Sequence, residues 1–257
     1  MDSKKYSRIV NNPRHIPSIH NYCDGWCKRC PLTLRCSVFA VQQVEERGRP
    51  PHNKADELLW PRLEEIQPRA RELLRLHADH PGLPVSKQPR FKHLRNDKRG
   101  GSPLSVAAQR YMEFAHEFVR HWLGQENRPE QLSTLPPLAD SAVTLAEAFE
   151  IIAWFHMMIS VKLLRALSHD EFDDEIESDP EFADMPRDQD GSAKIALISM
   201  DRSILAWALL VQVELLKDDA LSAMLTLDRL RRKVEMQFPK ARPFVRPGFD
   251  TVTFKRE

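Results

Sequence analysis

The sequence predicts an all-α protein, a helical bundle with an amino-terminal cysteine-rich metal-binding loop. Three observations carry that expectation. The 257 residues include only 8 glycines, β-branched residues seldom alternate with polar ones, and apolar residues recur over long stretches at helical spacing. With 42% hydrophobic residues the chain can enclose a substantial core.

Helices are expected near 32–47, 53–78, 102–124, 140–168, 191–217 and 218–237. Gly48 follows the first, and Pro81-Gly82 follows the second. Pro61 and Pro68 interrupt the second, which should therefore kink or split. Ser102-Pro103 opens the third, and Asp190 is placed to cap the fifth. No internal repeat is present. The chain divides into a cysteine-rich loop with its first helix (1–50), a kinked helix with a basic linker (51–101), a bundle of four or five helices (102–237) and an extended tail (238–257). The tail, FPKARPFVRPGFDTVTFKRE, is expected to lie extended over the helices and to anchor by its rings.

Charge narrows the classes of function. Thirty-eight Lys and Arg against 37 Asp and Glu leave a formal net charge of +1, so no global field draws the protein to nucleic acid or to an anionic membrane. Contact with nucleic acid or an acidic partner would have to be local, through the basic segment 87–99 with Lys87, Arg90, Lys92, Arg95, Lys98 and Arg99. A solvated linker is the plain alternative. The stretch 169–190 holds eleven acids and one Arg but lacks the ordered ligand spacing of a calcium-binding EF-hand loop, so it reads as an acidic connection. The amino terminus has no apolar signal-peptide core, and the most apolar run, 151–161, is too short to span a bilayer. A cytoplasmic protein without a membrane segment is expected, and in that reducing compartment clustered cysteines favour metal or redox chemistry over disulfides.

All four cysteines lie in HNYCDGWCKRCPLTLRC, with spacing C-x3-C-x2-C-x5-C at Cys23, Cys27, Cys30 and Cys36. Thiols this close can converge on one centre at small loop-closure cost. Four thiolates would satisfy Zn2+, but structural zinc sites usually pair two C-x2-C knuckles across a longer loop, and only one knuckle is present here. The compact loop fits a cubane iron–sulfur cluster better. The first three cysteines also spell C-x3-C-x2-C, the loop of radical S-adenosylmethionine enzymes. Cys36 stands ready to close the open iron site such enzymes need, and the strand–helix alternation of their barrel is missing.

The stretch CKRCPLTLRC resembles the cluster loop of the endonuclease III and adenine DNA glycosylase family, which places C-x6-C-x2-C-x5-C around a 4Fe–4S cluster, often with Pro after the third cysteine. The resemblance covers the loop only. It implies that Cys23, Cys27, Cys30 and Cys36 are the cluster ligands. It does not extend to glycosylase activity, because the first spacing is shorter, the loop is amino-terminal and no helix-hairpin-helix signature follows.

The helices hold a second set of candidates. Glu113 and His116 have the ExxH step of a di-iron bundle, yet helical geometry puts them opposite the face marked by Tyr111, Ala115 and Phe118. Glu147 and Glu150 supply acids without a histidine at the matching step. His156 falls among Leu145, Phe149, Ile152, Leu163 and Leu167 and should point into the bundle. Asp201 and Arg202 interrupt the apolar run ALISMDRSILAWALL and must find partners. His156, Asp201 and Arg202 therefore mark a candidate buried polar pocket, or a network that fixes helix register. Three readings of function follow. The first is an iron–sulfur protein with a structural or redox-active cluster and a protein or redox partner; the others are an enzyme with a polar or metal site in the bundle, and a zinc-stabilised module that contacts nucleic acid or protein.

Overall fold

The computed structural model describes residues 3–45, 58–83, 101–123, 143–168 and 187–250. The basic segment 87–99, Gly48 and the acidic run up to residue 186 lie outside the described residues. Among the described residues there is no strand, as the all-α expectation requires, and no helix is long and apolar enough to cross a membrane.

Two compact units are formed. The first comprises the amino-terminal residues up to Trp60 together with those from Pro243 onward, and the second runs from Pro61 to Arg242. In the first unit, α1 (Ser3–Val10) packs on α2 (Ser37–Glu45). Between them lie three 3-10 turns at Ile19–Tyr22, Cys27–Arg29 and Thr33–Arg35. The helix expected from residue 32 thus starts only at Ser37. Cys36 is extended, and its N–H is held by the Thr33 carbonyl at 3.2 Å.

The expected helix 53–78 is split by its prolines into α3 (Leu59–Glu64) and α4 (Gln67–Leu76). Pro61 and Pro68 each occupy a first turn, where a missing N–H breaks no helical bond. The second unit is built on α5 (Pro103–Leu123), α6 (Leu145–Ala166), α7 (Asp188–Leu210) and α8 (Lys217–Gln237). Each packs on the next and α8 returns to α5, closing a four-helix arrangement, with α4 against α7 and α8.

The core of this unit gathers around α7, which is buried on nearly all sides. Small residues at Gly191, Ser192, Ala193, Ala196 and Ser199 let neighbouring backbones approach. Farther along, Trp207 meets Phe118 edge-on at 4.8 Å, and Phe118 stacks on Phe149 at 5.5 Å, joining α5, α6 and α7. The Trp207 indole N–H donates to the Tyr111 hydroxyl at 3.0 Å, which supplies the polar partner both rings need when fully buried. Burial pushes the Tyr111 phenol up to about 12.

Helix ends explain the differences from the expected boundaries. Ser102 accepts the Ser105 N–H at 3.1 Å and opens α5 ahead of Pro103, as the sequence indicated. Thr144 and Glu147 form a reciprocal capping box at the start of α6. Asp190 is not the cap of α7. The helix starts at Asp188 with Arg187 in the capping position, and Asp190 is buried in its first turn, bound by the Arg187 Nε at 3.0 Å. The expected helix 191–217 stops at Leu210, where Gln212 and Val213 make shorter-range bonds to the Leu209 and Leu210 carbonyls. The apolar pattern runs on past that stop because Val211, Val213 and Leu216 are buried in the connection to α8.

Candidate metal centre

The four cysteines sit on a repeated local device. Cys23, Cys30 and Cys36 each follow a 3-10 turn and adopt extended backbone there, and Cys27 is the first residue of the middle turn. Gly25, at a positive φ of 67°, reverses the chain between Cys23 and Cys27. Asp24 secures that reversal by accepting the Trp26 N–H at 3.1 Å. Cys36 lies immediately before α2, its carbonyl accepting the Ala40 N–H at 3.0 Å.

The result is one concavity whose lining includes all four cysteines. No disulfide links them. Three sulfurs accept main-chain donors: the Gly25 N–H to Cys23 Sγ at 3.4 Å, the Leu32 N–H to Cys30 Sγ at 3.4 Å and the Phe39 N–H to Cys36 Sγ at 3.5 Å. Amides directed at sulfur orient a ligand side chain and tune the centre it serves. Burial pushes the Cys30 thiol up to about 12, with Asp24, Cys23 and Cys27 adding to the rise and the Leu32 amide opposing it. Among the described residues no group of three or more His, Cys, Asp or Glu side chains forms a ready-made site for a metal ion. A cationic centre favours deprotonation of any sulfur that binds it.

Aromatic and aliphatic packing supports the loop from behind. Trp26 and Ile19 are buried and line the concavity. Trp26 meets Trp60 edge-on at 5.6 Å, and the buried Arg29 guanidinium stacks over Trp26 at 5.0 Å. The carboxyl-terminal segment belongs to this unit. Phe244 packs on Tyr22 at 4.9 Å, and Phe249 joins the cysteines in lining the concavity. The tail is expected to lie extended over the helices; its described part instead folds into a turn at 246–250, with Arg246 bound to the Asp250 carboxylate at 2.9 Å. Phe249 carries no motif that could have revealed its place 213 residues after Cys36.

The candidates in the bundle have separate partners. His156 is buried, its Nδ1 lies 2.8 Å from the Ala153 carbonyl, and its ring stacks on that of the exposed His116 with centroids 5.7 Å apart. Asp201 and Arg202 are half-buried. Asp201 accepts from Arg231 at 3.1 Å and from Arg242 at 2.5 Å, whereas Arg202 stacks over Phe155 at 5.6 Å.

Glu147, an acid of the di-iron comparison, serves the α6 cap and binds Arg62 at 2.7 Å. Burial alone would raise its carboxyl, but Arg62 and the Thr144 donors hold it below the usual range. No family model, no curated protein and no solved structure matches this chain.

Proposed function

We propose that this chain is an iron–sulfur protein whose Cys23, Cys27, Cys30 and Cys36 hold a 4Fe–4S cluster. The observation that carries this reading is that all four cysteines, none of them in a disulfide, line one concavity. A cluster is preferred to zinc because the loop is a single compact C-x3-C-x2-C-x5-C run with one C-x2-C knuckle, whereas structural zinc sites usually pair two knuckles across a longer loop. When bound, the cluster supplies reversible one-electron transfer or a four-point cross-link of the amino-terminal unit. The residues of the chain do the rest: the Gly25, Leu32 and Phe39 amides orient three sulfurs, and Trp26 and Ile19 exclude water from behind. Cysteines without disulfides suit a reducing, cytoplasmic setting, with a protein or redox partner as the natural recipient of electrons.

The expected test is a set of four single Cys→Ala variants purified without oxygen. Each should lose most of its iron, and the loss should be as deep for Cys36→Ala as for the others. A Cys36→Ala protein that keeps its cluster and binds S-adenosylmethionine would replace this reading with a three-cysteine site.

A further inference from the structure

The concavity that holds the thiols is not made by the cysteine loop alone. Phe249 lines it from the other end of the chain. Contacts of its chain neighbours hold that residue in place. Phe244 is buried against Tyr22, the neighbour of Cys23, with ring centroids 4.9 Å apart. Gly248 sits so close to the loop that a Cβ added there would lie 2.6 Å from Ile16 Cδ1 and 3.1 Å from Ile19 Cδ1, and its φ of 78° is one that side-chain-bearing residues rarely adopt. Arg246 closes the turn by binding Asp250 and lies over the Phe249 ring at 4.9 Å. The ring is therefore held by a turn that is itself fastened on both sides.

We propose that residues 243–250 are a built-in cover for the thiol concavity, with Phe249 as the side chain that limits access of water and small solutes to what the cysteines hold. The proposal rests on the thiolate centre proposed above and adds a residue that acts without donating to it. An aromatic wall beside a cluster lowers local polarity and slows entry of reagents that attack iron or sulfur. A short terminal segment of this kind can also open locally without unfolding the protein.

The test is the rate at which anaerobically purified protein yields its iron to a coloured chelator. Phe249→Ala should release iron about tenfold faster than the wild type, the factor expected when an opening that hides one ring becomes easier. Gly248→Val, which strains the positive φ and pushes against Ile16 and Ile19, should do the same, and Phe249→Leu should stay near the wild-type rate. All variants should keep the wild-type helical circular dichroism. Wild-type rates in both Phe249→Ala and Gly248→Val would overturn the cover. A wild-type protein that carries no metal would contradict the proposed centre instead. The cover would then be read from the reaction of the four cysteines with an aromatic disulfide reagent, where faster labelling of Phe249→Ala supports it and equal labelling overturns it.

Discussion

His156 shows what one buried side chain can dictate. Its Nδ1 proton is directed to the Ala153 carbonyl, and its Nε2 is buried without a hydrogen-bond partner among the described residues. Protonation would place a second N–H where no acceptor waits. Burial accordingly pushes the imidazole below its ordinary value of 6.5, and the neighbouring His116 adds to the shift while the Ala153 carbonyl opposes it. The unfolded chain takes up this proton near pH 6.5 and the folded chain only at lower pH, so stability rises with pH across that window. The contribution is present above pH 6.5 and is lost as pH falls toward the lowered value. Urea unfolding at pH 7.5 and 5.5 should show a larger acid loss in the wild type than in His156→Gln. Equal losses would contradict the assignment.

The Tyr111 and Trp207 pair should behave differently. Tyr111→Phe leaves the buried indole N–H without its acceptor and is expected to cost about 1–3 kcal/mol in the same measurement. Asp201, whose side chain is one-third exposed, is held by Arg231 and Arg242, and Asp201→Asn should cost about 1 kcal/mol, with the loss shrinking in high salt.

At the scale of elements, stability rests on how helices begin and end. The capping box at Thr144 satisfies two donors, and Glu147 also reaches Arg62. Thr144→Ala should therefore lower stability by about 1 kcal/mol, whereas substitution at the exposed Met157 of the same helix should be nearly silent. After α4 the chain is strapped to α8: Arg229 binds the carbonyls of Ala78, His80 and Pro81, and Thr226 accepts the Leu83 N–H at 2.9 Å. Gly82 has a φ of 80°, and an added Cβ would meet the Thr226 hydroxyl at 2.7 Å. Gly82→Val should lower the melting temperature, and an unchanged melt would show that this strap is not formed.

Over the whole molecule, what the sequence could reveal was whatever depends on local spacing. The bundle helices follow from apolar residues at helical steps, the split at Pro61 and Pro68 from ring chemistry, and the grouping of four cysteines from their separation along the chain. Asp190 was misplaced by one turn because its carboxylate serves Arg187 rather than the helix end. Asp201 found partners as expected, but they lie on α8 and just after it, a long-range pairing that no periodicity encodes. Phe249 was hidden for the same reason, since only folding returns the carboxyl end to the cysteine loop. The central claim, a 4Fe–4S cluster on Cys23, Cys27, Cys30 and Cys36, is tested most directly by iron, zinc and acid-labile sulfide analysis of protein purified under strict exclusion of oxygen. The account predicts a brown protein with about four irons and four sulfides per chain and a broad thiolate-to-iron absorption that bleaches on reduction. A colourless protein with one zinc and neither iron nor sulfide would contradict it.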